Sequence, residues 1–444
     1  MTRYNSYQDS GNKWIGEIPS HWLRASLGKV GVLYGGLTGK KGEDFRSENS
    51  ALLKPFIPFT NIFNNTYISK EHFQPVVIGD GENQNKVQRF DLFFLMSSES
   101  YEDLGKTSIL IDDVDELYLN SFCKGFRVQR TNLNPLFLNY QLSGDTHKKL
   151  ISIEGNGFTR INLRQDRLKE TPIFIPPLSE QQQIVTFLDT TTLQIDELIQ
   201  KKIRKIELLK EYRISLINHV VTKGLNPNVK MKDSGVEWIG EIPSHWEKIK
   251  LGHYTIIVRG GSPRPSGDPI YFNGDFIPWI TVGDVTNSEG KFLVKTETFL
   301  TEEGMNNSRV LESETLVISN SGATLGVPKI LKIKGCINDG SVGFPEINDK
   351  LKRDFLYYFF VSQTLLLRKQ QSGYGQPNLN TDIISNIRLP LPPLSEQHEI
   401  VSYLDEQTEK IDSSIQLEKK KIKLLKEYRQ SLISEVVTGK IKVF

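Results

Sequence analysis

Cysteine is almost absent: two in 444 residues is too few for a disulfide-stapled scaffold, and no Cys/His set has zinc spacing. Histidine is sparse too, with seven scattered along the chain. No run of 18 apolar residues suggests a membrane span, and the opening Met-Thr-Arg-Tyr-Asn-Ser-Tyr-Gln-Asp-Ser-Gly is too polar for a signal peptide. An excess of either charge is also missing. The 55 Lys+Arg stand against 53 Asp+Glu, a net of +2, so a nucleic-acid site must be a local patch rather than a global field. The Asn/Asp-Pro-Pro-aromatic methyltransferase motif, Walker A, His-Glu-x-x-His and Gly-x-Ser-x-Gly are all lacking. No Ser/His/Asp set or carboxylate pair stands out by spacing. These absences predict a soluble, cytoplasmic, non-catalytic chain, long enough for about two to four domains.

What is present is a repeat. Asp9-Ser10-Gly11 and the run Trp14 to Trp22 (Trp-Ile-Gly-Glu-Ile-Pro-Ser-His-Trp) return as Asp233-Ser234-Gly235 and Trp238 to Trp246, 224 positions on. Pro176-Pro177-Leu178-Ser179-Glu180-Gln181 returns as Pro392 to Gln397, 216 positions on. Leu208 to Arg213 and Val220-Val221-Thr222 return at that second offset, as Leu424 to Arg429 and Val436 to Thr438. The chain is two tandem copies of a unit of roughly 220 residues. The ends of the copies match closely. Residues 23–160 and 247–376 match only in fragments such as Phe56-Ile57-Pro58 with Phe276-Ile277-Pro278, and Gly125-Phe126 with Gly343-Phe344. One scaffold therefore carries two different surfaces joined by two near-identical connectors, as suits a device reading two things at a fixed separation.

Residues 178–222 and 394–438 read as long helices. Ile184, Leu188, Ile195, Ile199, Ile206, Leu209, Leu216 and Val220 recur at helical steps, and Ile400, Leu404, Ile411, Ile415, Ile422, Leu425, Leu432 and Val436 occupy the equivalent places. The stripe is narrow, heptad-like and flanked by lysines, which favours a coiled-coil seam over a buried core helix. Packing of each helix on its own domain alone is the alternative, and the lysine flanks read as solvated faces rather than phosphate contacts. Ser179 is the expected N-cap, with Gln182 at the capping-box position; Ser395 is its counterpart, with His398 making a weaker box. Gly224 and Gly439 are the expected stops. The Thr190-Thr191-Thr192 run is a possible interruption; unbroken, each helix would span roughly 65 Å at ~1.5 Å per residue.

Between the repeated ends, short β-branched and aromatic runs alternate with Gly/Pro/Asn turns and a few helical stretches, which predicts an irregular α+β domain in each copy. Gly-rich loops stand at matching places. Lys40 and Lys41 close the first, and Arg259 and Arg264 flank the second; glycine-backed cations can approach a phosphate or a guanine edge, although a hairpin turn with solvated charges fits equally. A third loop, Gly155 to Leu163, pairs with Gly373 to Leu379. Its Asn156 and Arg160, and Tyr374 and Gln376 in the second copy, are candidates for base reading, because amides can pair with adenine and aromatics can pack on a base. The alternative is that this loop only shapes the route into the connector. His21 and His245, in the repeated Ser-His-Trp, read as packing or turn residues rather than bases.

With these elements in hand, the chain resembles the specificity subunit of Type I restriction–modification systems over nearly its whole length. The resemblance rests on the two variable domains, the two repeated helices, the Pro-Pro-Leu-Ser-Glu-Gln starts and the Trp-Ile-Gly-Glu-Ile-Pro-x-His-Trp openings. It implies target-recognition domains at 1–175 and 225–391, connector helices at 176–224 and 392–444, antiparallel pairing of the connectors, and hence a pseudo-two-fold relation between the copies. It implies that each domain reads half of a bipartite, asymmetric site in double-stranded DNA. The half-sites would lie about one helical turn apart, roughly 10 bp. Two methylation subunits would dock on the helices, bring S-adenosylmethionine and flip adenines for N6 methylation; motor-nuclease subunits would bring ATP and Mg. This chain would bind no cofactor itself. The competing readings are a two-reader DNA scaffold or regulator outside restriction–modification, and a carbohydrate- or protein-binding module with Trp279 as an exposed platform.

Overall fold

The computed structural model describes residues 2–45, 52–322, 324–370 and 379–444, with backbone alone at 365, 366, 369 and 370. The fold divides into two compact units. Unit 1 holds residues 1–202 and 420–444, and unit 2 holds residues 203–419. Each therefore joins one variable domain to one half of each long helix.

In unit 1, four strands form an antiparallel sheet: β1 (Gly31–Gly35), β2 (Leu92–Leu95), β3 (Thr107–Ile109) and β4 (Cys123–Val128), in the order β1-β4-β2-β3. In unit 2, β5 (Thr255–Arg259), β6 (Phe292–Leu293), β7 (Leu316–Ser319), β8 (Pro328–Leu331) and β9 (Ser341–Ile347) form a sheet in the order β5-β9-β7-β8-β6. β4 and β9 hold the matched Gly-Phe pair, and the match has a steric cause. A Cβ on Gly125 would fall 2.1 Å from the Tyr34 ring, and one on Gly343 would fall 2.5 Å from Leu311. Phe126 and Phe344 point into their cores, 0% and 1% exposed.

The connectors are helices over Leu178–Lys223 and Leu394–Val437, and the first runs through Thr190-Thr191-Thr192 without a break. The threonine hydroxyls bond back into the helix: Thr186 to the Gln182 carbonyl and Thr190 to the Thr186 carbonyl, each at 2.9 Å. The expected Ser179 N-cap is also corrected. The Pro177 carbonyl accepts from the Glu180 and Gln181 amides at 3.0 Å, so the helix begins at Leu178, two residues earlier than a Ser179 cap would give, and the Gln182 side chain accepts from Asn134 instead. Both helices end as expected, at Gly224 (φ +76°) and Gly439 (φ +72°).

In unit 1 the first connector's Ile184, Leu188, Ile195 and Ile199 share a core with Leu432, Val436 and the partly buried Ile422 and Leu425 of the second. Unit 2 places Ile400 and Leu404 with Ile217, Val220 and the partly buried Leu216. Ile206, Ile411 and Ile415 are buried, while Leu209 remains half-buried. The direction is fixed by ion pairs. In unit 1 Asp196 meets Arg429 at 3.0 Å; in unit 2 Asp412 meets Arg213 at 3.0 Å and Glu418 meets Lys205 at 2.9 Å. Within each unit the helices thus run antiparallel. Asp412 and Arg429 are the repeat counterparts of Asp196 and Arg213, so the two Asp–Arg pairs are one pair with its members exchanged between copies.

Each variable domain is tied to its connector by a tyrosine. Tyr140, in the helix Pro135–Ser143, donates to Asp189 at 2.6 Å; Tyr358, in the helix Arg353–Gln370, donates to Asp405 at 2.5 Å. Burial together with the Asp189 hydrogen bond pushes the Tyr140 phenol up to about 12. The chain ends also meet in unit 1, where Thr2 and Lys442 form a bridge with a 2.8 Å hydrogen bond from the Lys442 amide to the Thr2 carbonyl.

Candidate nucleic-acid interface

The most closely repeated residues turn out to be joints. Trp22 is 2% exposed; its indole N–H donates to Glu180 at 2.9 Å, and His21 meets the same carboxylate at 2.9 Å. Trp246 and His245 grip Glu396 at 2.8 and 2.6 Å. Both carboxylates lie in the first turn of a connector, where negative charge is favoured. The same tryptophans pack on the other connector's end: a Cβ at Gly439 would lie 3.2 Å from Trp22, and one at Gly224 3.1 Å from Trp246. Gln181 and Gln397 complete the joints. Their amides donate to Pro176 and Pro392 carbonyls, at 2.8 Å each, and to Asn132 and Lys350 carbonyls, at 2.9 Å each. The histidines serve structure, not proton transfer.

The Gly-rich loops have a backbone cause. A Cβ on Gly36 would fall 2.0 Å from the Asn120 carbonyl, and one on Gly260 2.0 Å from the Asn338 carbonyl, so glycine is needed where two chains cross. The loop cations have different fates. Lys40 is spoken for: its ammonium bonds Glu82 at 2.6 Å, and this pairing with the Gln84 amide holds the Glu82 carboxyl down at about 2. Lys41 is exposed. In unit 2 Arg259 and Arg264 converge on Asp339, through its carbonyl and its carboxylate, each at 3.3 Å, and both stay exposed.

The third loop is a hairpin. Its strands Gly155–Asn156 and Ile161–Leu163 are antiparallel, and the second pairs with Ser97–Ser98. Asn156 and Arg160 are exposed and come together here. Arg160 donates to Ser97 at 3.3 Å and lies 5.1 Å over the exposed Phe122 ring. Phe158 projects from the hairpin fully exposed, 105% by area. A large apolar ring left in water beside an arginine and an amide suits contact with bases rather than the core. Tyr374 and Gln376 lie outside the described residues.

Elsewhere in unit 1, a hollow of about 340 Å³ is lined by Tyr34, Gln88, Arg127 and Gln129, which sequence reading missed. Arg127 makes a two-pronged contact with the buried Asp91, at 2.7 and 2.9 Å, and Tyr34 donates to Asp91 at 2.6 Å. Burial and the Asp91 charge drive the Tyr34 phenol up, so it stays neutral. No local sequence signal marks this trio, because its members come from three separate strands or turns. The expected exposure of Trp279 is also corrected: it is 7% exposed and packs in a small core with Ile277, Leu300 and Cys336. Among the described residues no His/Cys/Asp/Glu group could hold a metal, and no helix is long and apolar enough to cross a membrane.

Comparison with known proteins accords with this architecture. A family profile described as Type I restriction modification DNA specificity domain matches twice, at residues 21–208 and 243–427. The chain is 26% identical over 441 residues to the chain designated the MjaX type I restriction enzyme specificity subunit of Methanocaldococcus jannaschii, covering 97% of this chain and 96% of that one. It is 23% identical over 408 residues to the EcoKI specificity subunit of Escherichia coli, covering 88% and 83%. Among solved structures, a chain from work on assembly and conformational transition of the type I R-M system superposes with a TM-score of 0.73 at 18% identity, covering 96% of this chain and 99% of that one. The HsdS subunit from Thermoanaerobacter tengcongensis gives 0.55 at 19% identity, covering 96% and 98%. With two matched domains and paired connector helices, the chain belongs to the Type I restriction–modification DNA specificity family.

Proposed function

We propose that the domains at 1–175 and 225–391 each read one half of a bipartite, asymmetric sequence in double-stranded DNA, and that the connectors at 176–224 and 392–444 set the gap between the halves. The observation that carries this is the exchange of partners between copies: Asp196 with Arg429, and Asp412 with Arg213. The same joint is built twice from near-identical ends, while the surfaces between the ends differ. Asn156, Phe158, Arg160 and Lys41 are the proposed contacts for one half, and Arg259, Arg264, Tyr374 and Gln376 for the other. Phosphate contacts would position the domain and amide or arginine contacts would specify bases.

The chain supplies specificity and its partners supply chemistry. Two methylation subunits, carrying S-adenosylmethionine, would modify one adenine in each half at N6; motor-nuclease subunits with ATP and Mg would join them in the cytoplasm. Two copies of one methylation subunit fit because the connectors offer the same exposed patch twice: Leu208 with Tyr212, and Leu424 with Tyr428, each about half exposed and one turn apart. Modified-base sequencing of the source genome with and without this gene tests the reading. The expected result is loss of a single bipartite N6-methyladenine motif on deletion. An unchanged methylation pattern, with the neighbouring methylation genes expressed, would overturn it in favour of a scaffold outside restriction–modification.

A further inference from the structure

Unit 2 contains a hollow of about 400 Å³ that none of the roles above uses, walled by Phe272, Trp279 and Phe299, with Asn273 and Gly274 at its side. Three properties point to a ligand. First, Trp279 lines the hollow while only 7% exposed, and its indole N–H, which is not sealed from solvent, finds no acceptor among the described residues. Second, Trp279 is held rigidly. Its amide donates to the Thr298 carbonyl at 2.8 Å, and the Thr296 and Thr298 hydroxyls donate to its carbonyl at 3.0 and 2.9 Å. Phe272 stands edge-on to it, with ring centroids 6.0 Å apart. Third, Asn273 sits at φ +61°, a left-handed conformation that asparagine adopts more readily than most residues, and its exposed amide, at the side of the hollow, makes no hydrogen bond to the described residues. The neighbouring Gly274 lets the wall close, because a Cβ there would lie 2.5 Å from the Thr301 amide.

From this geometry we propose that the hollow takes one unstacked nucleobase. Aromatic walls suit a flat ring, the indole N–H wants an acceptor, and a free amide offers the paired donor and acceptor that a base edge matches. The volume falls within the range of small-ligand pockets. The lining carries a single ionisable side chain, Glu297, which is exposed and meets Lys295 at 3.1 Å, so a neutral ring is favoured over an ion. The base comes either from the DNA, as a nucleotide leaving the stack in the half-site that unit 2 reads, or from free nucleosides. The first source rests on the DNA reading proposed above; the second does not.

The DNA arm uses the full chain with its methylation subunits and its own bipartite sequence, walking 2-aminopurine through the half-site of unit 2 at every position except the methylated adenine. One position should change fluorescence on binding. Trp279→Phe, which keeps the ring but deletes the N–H, and Asn273→Gly should both abolish that signal and weaken binding at least tenfold. Asn273→Gly is informative because glycine accepts the same left-handed backbone, so its melting temperature should hold while binding falls. The second arm applies saturation-transfer NMR to the full chain with millimolar adenosine, guanosine, cytidine or thymidine; transfer lost in Trp279→Phe would identify free nucleosides as the source. Silence in both arms, or variants that bind like the native chain, would overturn the proposal. A chain without sequence-specific DNA binding but with Trp279-dependent nucleoside transfer would sink the DNA reading and leave the ligand class standing.

Discussion

His147 is fully buried, and its Nε2–H donates to the Pro172 carbonyl at 3.1 Å while its Nδ1 has no partner. Burial drives its ring down to about 4. Above its ordinary pKa the ring is neutral in both folded and unfolded chains. As the pH falls from about 6.5 towards 4, only the unfolded chain takes the proton, so unit 1 loses stability, by roughly 3 kcal/mol once the window is crossed. Urea unfolding at pH 7.5 and pH 5 should show this loss in the native chain and a smaller one in His147→Gln; equal losses would mean the ring is not the acid-sensitive group. Phe158 makes the opposite case. With no packing to lose, Phe158→Ala should shift stability by less than about 0.5 kcal/mol yet weaken DNA binding by about 1–3 kcal/mol. Thermal melting and DNA titration check the pair, and unchanged binding would remove Phe158 from the interface.

At the scale of elements, the connectors were the most legible part of the chain, because the stripe from Ile184 to Leu216 repeats from Ile400 to Leu432 and helical periodicity is local information. The errors were local as well. Ser179 was read as a cap because its side chain suits one, but the Pro177 carbonyl reaches the Glu180 and Gln181 amides first. The threonine run did not break the helix because its hydroxyls found carbonyls within it. Site residues were harder to read, since their fates depend on distant partners. Lys40 is claimed by Glu82, and Arg127 is aimed by Asp91, neither of which any short motif announces. The exposed connector patches yield a direct prediction. Replacing Leu208 and Tyr212 by alanine should leave melting unchanged and release one methylation subunit, seen by native mass spectrometry; the same change at Leu424 and Tyr428 should release the other. Full assembly in both variants would place docking elsewhere.

For the whole molecule, the proposed ruler can be cut. Lys201–Glu207 and Leu417–Lys423 oppose each other across the antiparallel seam, to judge from the Lys205–Glu418 pair between them. Removing both heptads keeps the seam in phase and takes out roughly 10 Å of helix. The unread gap in the methylated motif should shorten by about three base pairs, at ~3.4 Å per step. A gap of unchanged length would separate the helices from the spacing. The bridge between Thr2 and Lys442 permits another operation. Joining the ends there and opening the exposed Asn226-Pro227 turn should give a permutant that still directs methylation, and one that folds without assembling would contradict the arrangement.

The joints have a further consequence for inheritance. Trp22 with Glu180 and Trp246 with Glu396 are written in stretches of sequence that are almost the same in both copies, and none of those side chains belongs to the surfaces between them. Stretches so alike are also where two genes can cross over. An exchange with breakpoints inside them would carry in a foreign recognition surface whole, with the tryptophan, carboxylate and glutamine that seat it already in place. The features that hold a unit together thus make its specificity portable, and a lineage could acquire a new DNA site in one recombination without first passing through an unfolded intermediate.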